Sequence, residues 1–132
     1  MCIRDSSNPH PKHFLIVDDE DLMRHILRNI FELQGYIVSE ARNDEEAINI
    51  IKSNQIHLVT LNTSPSKGSG FTLLHMIRRI SNIPIIAVTA DLSEASKVYC
   101  FKLGADDYIT TPLSCDELIA RINAIMRRYN QK

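Results

Sequence analysis

The chain has 132 residues, of which 44% are hydrophobic and 23% charged, and its formal net charge is -1. These values are typical of one globular domain that buries its own core. The near-neutral charge argues against binding to nucleic acid or to a membrane surface, and the longest apolar runs are too short to span a membrane. The three cysteines show no metal-ligand spacing, so we expect reduced thiols in a cytoplasmic protein.

The N-terminal stretch MCIRDSSNPHPK differs from the rest of the chain. It shows no hydrophobic periodicity, and its two prolines oppose regular structure. We expect residues 1–12 to be a disordered or artefactual tail. The folded domain is predicted to cover residues 13–129, and residues 130–132 are expected to end the domain or to begin a linker.

Strands and helices alternate after this tail. The apolar run FLIV predicts the first strand, and the helix that follows it is expected to end at Gly35. That helix has apolar residues at helical spacing: Leu22, Ile26, Ile30 and Leu33. YIVSEA predicts a second strand, and the next helix begins at Asn43, which forms a capping-box pattern with Glu46.

The second half of the chain continues this alternation. IHLVTL predicts a third strand, FTLLHMIRRI a third helix, and the continuously apolar IPIIAVTA a fourth strand covered on both faces. A weaker helix ends at Gly104, DYITT predicts a fifth strand, and Ser114 with Glu117 forms a capping-box pattern before the last helix. That helix has an apolar stripe: Leu118, Ile122 and Ile125. Five strand–helix units with short connections predict a single α/β domain with a doubly wound, five-stranded parallel sheet.

Polar residues follow the predicted strands at their carboxyl ends. Asp18 and Asp19 come after the first strand, Asn62 after the third, Thr89 after the fourth and Thr111 after the fifth. The carboxyl ends of parallel strands share one edge of the sheet, where ligands bind. Carboxylates suit Mg²⁺, which takes one or two of them together with other oxygens. The alternative for the acidic cluster is complementarity to the dipole of the helix that follows.

Three motifs in this order, FLIVDDED, PIIAVTA and GADDYITTP, resemble the receiver domains of two-component response regulators. The resemblance covers roughly residues 13–129, and its C-terminal half is most similar to the branch that carries a winged-helix DNA-binding domain. It implies the flavodoxin-like receiver fold. In that family an aspartate after strand three takes a phosphoryl group from a histidine kinase. Mg²⁺ held by the strand-one acids neutralises the phosphoryl oxygens, and a lysine before the strand-five proline pairs with the phosphate.

The resemblance assigns roles to residues that this chain keeps. Asp18 and Asp19 correspond to the acidic pair that holds the metal, although we expect Mg²⁺ binding here to be weak or lost. Thr89 and Tyr108 correspond to the switch pair, in which the hydroxyl residue moves to the phosphoryl group and the aromatic turns inward. Pro112 corresponds to the strand-five proline, which follows a cis peptide bond in the family.

Two roles fall on residues of a different chemical type. The phosphoacceptor position falls on Asn62, in a register set by Gly70, and the lysine position falls on Thr111. The proline of the loop after Asn62 stands at Pro65, one position from where the family has it. An amide cannot form an acyl phosphate, and a hydroxyl does not supply the point charge that holds phosphate. We therefore expect a degenerate receiver that is not an enzyme, with no cofactor or weakly bound Mg²⁺, and for which a histidine kinase is a doubtful partner.

The resemblance also implies an interaction surface. Receivers of the winged-helix branch dimerise through helix four, strand five and helix five. In the family, two kinds of salt bridge cross the two-fold axis of this dimer. By alignment, they correspond here to a pair between Lys97 and Glu117 and a pair between Asp107 and Arg121. We therefore expect a protein partner or a homodimer at this face, with no direct contact to nucleic acid or membrane.

Two functions follow from these expectations. The first is a phosphorylation-independent receiver that regulates transcription through an output domain absent from this chain. The second is a receiver that still responds to phosphate or another ligand through Asp18 or Asp19 with Mg²⁺. A flavodoxin-like cofactor binder is disfavoured, because the acidic stretch DDEDLM stands where that class places its phosphate loop.

Overall fold

A computed structural model describes residues 11–63 and 70–130. Most of the predicted tail, and Pro65, lie outside these residues. Strands and helices alternate along the chain: β1 (His13–Val17), α1 (Asp21–Leu33), β2 (Ile37–Ala41), α2 (Asp44–Ser53), β3 (Leu58–Asn62), α3 (Gly70–Ile80), β4 (Ile85–Thr89), α4 (Glu94–Leu103), β5 (Asp107–Thr110) and α5 (Cys115–Asn130). The strand order in the sheet is β2-β1-β3-β4-β5. Within the described ranges, no helix has both the length and the apolar character needed to cross a membrane.

The chain divides into two units, of which the first ends at Leu61. In this unit β1 is the central strand and pairs in parallel with β2 and β3. Phe14 of β1 is fully buried, and its ring stacks on Tyr36 at 4.0 Å and meets the edge of Phe31 at 5.2 Å. Because β1 is buried along nearly its whole length, the acidic residues that follow it start from a rigid position.

Helix α1 shows where the apolar spacing was misleading. The buried residues of this helix are Arg24, Leu27 and Phe31. Leu22 and Leu33, two members of the predicted stripe, are 71% and 75% exposed. The spacing predicted the helix correctly but did not identify its buried face, because apolar residues occur on more than one face and an arginine occupies part of the inner one.

The second unit begins at Asn62 and contains β4 and β5, which pair in parallel. All five residues of β4 are buried, as the continuous apolar run predicted. In α5 the predicted stripe is buried: Leu118, Ile122 and Ile125 are at most 2% exposed. These buried strands and helices position the polar residues at the carboxyl ends of β4 and β5.

The predicted helix starts are largely as expected. The side chain of Asn43 accepts a hydrogen bond from the Glu46 amide at 2.9 Å, and that of Ser114 accepts from the Glu117 amide at 3.2 Å. The Glu46 carboxylate accepts from the Arg42 amide at 2.8 Å rather than from the cap residue itself. The starts of α2 and α5 therefore each have a side-chain partner for one of their unpaired amides.

Candidate functional site

The acidic pair follows β1 in the first unit. Asp18 is 4% exposed, and its Oδ1 accepts a hydrogen bond of 2.9 Å from the Glu20 amide. The Asp18 amide donates to the carbonyl of Ala41 on β2 at 3.1 Å. Asp19 is exposed. The two neighbouring carboxylates therefore have different surroundings, one packed inside the turn and the other open to solvent.

These two carboxylates fit Mg²⁺ by their chemistry, and Asp18 and Asp19 are the residues that would hold it. The cation would supply positive charge for negative oxygens bound beside it. Within the described part of the chain, no three or more His, Cys, Asp or Glu side chains are grouped to hold a metal ion. The donors present therefore match a cation that keeps several of its own waters.

Asn62 is the last residue of β3 and is half-buried. The next residue, Thr63, is buried, and its amide donates to the carbonyl of Val88 on β4 at 3.1 Å. The Thr63 hydroxyl lies 3.6 Å from the sulfur of Cys100 on α4, and burial raises the pKa of that thiol. The backbone just after Asn62 is thus held against both β4 and α4.

Gly70 opens α3 close to this turn. A Cβ atom on Gly70 would lie 2.4 Å from the Asn62 carbonyl oxygen and 2.6 Å from the Thr63 Cα. Only glycine allows the first turn of α3 to approach the end of β3 so closely. This contact gives a physical reason for the glycine that sets the register of Asn62.

The switch pair converges on the backbone of one residue. Thr89 is 1% exposed, and its hydroxyl accepts a hydrogen bond of 3.0 Å from the Asp91 amide. Tyr108 is 8% exposed, and its hydroxyl donates to the Asp91 carbonyl at 2.5 Å. Burial is the main cause of the raised pKa of Tyr108. The tyrosine ring therefore points inward and is bonded to the segment between β4 and α4.

Thr111, which the resemblance assigns to the lysine position, directly follows β5. Thr111 is half-buried, and its amide donates to the Thr89 carbonyl at 2.9 Å. The peptide bond between Thr111 and Pro112 is cis, as expected, and Pro112 is exposed. A neutral hydroxyl is thus held by the backbone at the position where the resemblance implies a cation.

The predicted interaction surface carries an ion-pair cluster within one chain. The Arg121 guanidinium forms two hydrogen bonds to the Asp107 carboxylate, at 2.9 and 3.0 Å, and a further ion pair with Glu117 at 2.9 Å. The resemblance implied that Arg121 and Asp107 pair across a two-fold axis, whereas here they pair inside one protomer. Lys97 is exposed on α4, and its predicted partner is Glu117.

Helix α4 is unusual in what it buries. Its buried residues are Ser96 and Cys100, whereas Val98, Tyr99 and Phe101 are 41%, 48% and 43% exposed. Large apolar side chains are thus at the surface of this helix, and small ones are inside.

The family model described as "Response regulator receiver domain" matches residues 14–123, most of the chain. The chain belongs to the response regulator receiver domain family. The predicted fold class is therefore confirmed.

Relatives of this receiver domain are transcriptional regulators. It is 44% identical to the "Probable transcriptional regulator ycf27" of Cyanidium caldarium over all 132 residues, which are 53% of that protein. It is 41% identical to the "Transcriptional regulatory protein YvrH" of Bacillus subtilis (strain 168), over 89% of this chain and 50% of that protein. The chain thus spans about half the length of these curated relatives.

Solved structures agree with this assignment. A two-component response regulator from Clostridium difficile superposes with a TM-score of 0.85 at 34% identity, over 90% of this chain and 98% of that one.

Two residues with structural roles, Asp91 in the second unit and Arg24 in the first, were not singled out from the sequence. Asp91 binds both switch residues, but it does so through its backbone, so its side-chain type gave no signal. Arg24 is one of the buried residues of α1, and its guanidinium donates to the Asp18 carbonyl at 2.7 Å. A lone charged residue on an otherwise apolar helix face was the available signal.

Proposed function

We propose that this receiver acts in signalling without being phosphorylated. Asn62 stands at the acceptor position and carries an amide, which is a poor nucleophile. Thr111 stands at the lysine position and offers no charge for a phosphate. Two changes in one site remove both the covalent step and the group that would hold its product, so a degenerate receiver is the simplest account.

The observation that carries this proposal is the state of Tyr108. In receivers the aromatic turns inward when the domain is phosphorylated. Here Tyr108 is buried and bonded to the Asp91 carbonyl in a chain whose acceptor position is an amide. The Asp91 amide is bonded to Thr89, so both switch residues already hold the same segment. We infer that the switch is held in the inward arrangement by these contacts rather than by a phosphoryl group.

The receiver acts, in this proposal, through a protein partner or a second copy of itself. The proposed interaction surface comprises α4, β5 and α5. The exposed apolar residues Val98 and Phe101 on α4 support the proposal that this surface binds a partner. The charged residues of the face are Lys97, Asp107, Glu117 and Arg121. Because Arg121 already pairs with Asp107 and Glu117 within the chain, dimer formation exchanges ion pairs rather than adding them, and apolar contact supplies most of the affinity.

The biological role follows from the named relatives, which are transcriptional regulators of about twice this length. We infer that the receiver regulates transcription through an output domain, in the cytoplasm, and without catalysis of its own. It makes no direct contact with nucleic acid or membrane. A histidine kinase is a doubtful partner, because Asn62 offers no carboxylate to phosphorylate.

The test compares the wild-type receiver with the variant Asn62→Asp. Each is titrated with Mg²⁺, with and without beryllofluoride, while amide NMR shifts near Thr89 and Tyr108 are recorded. Beryllofluoride mimics an acyl phosphate and needs a carboxylate to coordinate. We expect no shift in the wild type and a saturable shift in the variant, which serves as the positive control.

The alternative function uses the acidic pair, and the exposure of Asp19 favours it, because a reagent can reach that carboxylate. Incubation with acetyl phosphate and Mg²⁺, followed by intact-mass measurement, distinguishes the two functions. A wild-type chain that gains the mass of a phosphoryl group, or that shifts saturably at Tyr108 with beryllofluoride, would restore a ligand-switched receiver.

A further inference from the structure

Arg24 is a charged residue on the inner face of α1. Its side chain is only 9% exposed, and the neighbouring buried residues of the helix are Leu27 and Phe31. Burying a guanidinium is costly unless its donors are paired. The hydrogen-bond partners of the Arg24 guanidinium therefore show which parts of the fold it holds together.

The guanidinium of Arg24 joins three parts of the first unit. Its Nη1 donates to the Asp18 carbonyl at the end of β1 at 2.7 Å. Its Nη2 forms an ion pair with Asp21 in the first turn of α1. Its Nε donates to the Glu40 carboxylate on β2 at 3.0 Å. One side chain thus ties the end of a strand, the start of a helix and the neighbouring strand together.

The segment held in this way is the acidic turn, defined as residues 18–21. It carries four acidic residues in succession, and the last three are exposed. Glu20 occupies the N-cap position of α1 without a side-chain capping bond. Neighbouring carboxylates repel one another, and the positive charge of the buried Arg24 guanidinium offsets that repulsion.

Arg28 provides a comparison one helical turn further along. It also binds Glu40, at 2.5 Å, and it binds Glu32 at 2.9 Å and the Val38 carbonyl at 3.3 Å. The described contacts of Arg28 are with β2 and α1 alone. Arg24 contacts these two elements as well, but it also binds the Asp18 carbonyl in the acidic turn. Arg28 is therefore a matched control, because it shares the Glu40 ion pair with Arg24 but not the bond to the turn.

We propose that Arg24 is a positioning residue that keeps the acidic turn in one conformation without a bound cation. The Arg24 guanidinium donates to the Asp18 carbonyl, and the Asp18 carboxylate accepts a hydrogen bond from the Glu20 amide, so Asp18 is held through both its backbone and its side chain. This inference rests on the proposed function in one respect, since a receiver that needs no phosphoryl group also needs no metal to order its acidic edge.

The test measures hydrogen exchange of the Glu20 amide by NMR, relative to the amides of β1. In the wild type, about 10 mM Mg²⁺ is expected to change this rate by less than about twofold, because the turn is already ordered. The variant Arg24→Gln is expected to raise the rate by about tenfold or more, since the turn opens locally. The control Arg28→Gln is expected to leave the Glu20 rate unchanged.

Three results would overturn the proposal. They are a strong slowing of Glu20 exchange by Mg²⁺ in the wild type, an unchanged rate in Arg24→Gln, and an equal acceleration in Arg28→Gln. If Arg24→Gln does not fold, Arg24→Lys keeps the charge but cannot bond to Asp18, Asp21 and Glu40 together. A wild-type rate in that variant would also overturn the proposal. None of these variants changes Asn62, so this outcome is independent of the beryllofluoride test.

Discussion

The hydroxyl of Tyr108 donates a hydrogen bond of 2.5 Å to the backbone carbonyl of Asp91. The amide of the same residue donates to the Thr89 hydroxyl at 3.0 Å. The segment between β4 and α4 is therefore anchored on both sides of one residue, by side chains from two neighbouring strands. The anchored segment runs into α4, on which Val98, Tyr99 and Phe101 are exposed.

Removing the tyrosine hydroxyl tests this anchor. Tyr108→Phe is expected to lower the free energy of unfolding by about 1 kcal/mol, because the part-buried Asp91 carbonyl loses a hydrogen-bond partner. Urea unfolding measures the loss, and NMR relaxation of residues 90–93 is expected to show greater mobility. Tyr99→Phe is the control, since Tyr99 is 48% exposed. An equal loss in both variants would contradict the role of the bond.

Self-association is expected to depend on the apolar residues of α4. Phe101→Asp is predicted to weaken dimer formation by at least about tenfold, because a charge would be buried at the interface. Sedimentation equilibrium measures the dissociation constant. Met76→Asp is the control, because Met76 is a comparably exposed apolar residue on α3. A strictly monomeric wild type, or equal effects of the two variants, would refute a homodimer at this face.

The charged residues of the same face are expected to contribute little to affinity. Arg121→Ala is predicted to change the free energy of dimer formation by less than about 1 kcal/mol, since its ion pairs form within one chain and are partly exposed. The same sedimentation measurement, repeated at low and high salt, checks this. A loss comparable to that of Phe101→Asp would show that the ion pairs, and not the apolar patch, drive assembly.

Gly70 is expected to tolerate no side chain. Gly70→Ala is predicted to destabilise the fold by about 1–3 kcal/mol, because the new Cβ would lie 2.4 Å from the Asn62 carbonyl oxygen and the backbone would have to shift. Urea unfolding is the measurement, and Thr72→Ala at an exposed position of α3 is the control. A stability equal to that of the wild type would mean that α3 does not approach the end of β3 so closely.

Stability is expected to fall as the pH drops from about 7 towards 5. The His57 ring accepts a hydrogen bond of 2.9 Å through Nδ1 from the His13 amide. Burial lowers the pKa of His57 below its usual 6.5, and the nearby Lys12 acts in the same direction. The unfolded chain therefore binds more protons than the folded one in this range. The stabilisation is complete above pH 6.5 and is lost as the pH falls from 6.5 through the lowered pKa of the folded state.

Urea unfolding at several pH values measures this dependence. His57→Gln is expected to weaken it, because one of the two rings whose pKa burial lowers is gone, the other being His13. His25→Gln is the control, since His25 is exposed on α1. A pH dependence that survives in His57→Gln but vanishes in His25→Gln would contradict the assignment.

Much of the fold could be predicted from local patterns. The stripe of Leu118, Ile122 and Ile125 identified the buried face of α5, because that helix has a single apolar side. The same reasoning failed for α1, where Leu22 is exposed and Arg24 is buried. Spacing alone cannot tell which of two apolar faces meets the sheet, because the neighbouring strands decide that.

The chemistry of the candidate site was determined by the sequence itself. The resemblance to the family assigns Asn62 and Thr111 to two positions where the family has a carboxylate and a cation, and the side-chain chemistry at both positions is given by the sequence alone. The tertiary structure alone decided which groups hold the switch pair and the acidic turn in place. Asp91 acts through its backbone and Arg24 through a fork that reaches three segments, and such contacts depend on distances between chain segments that no local pattern records.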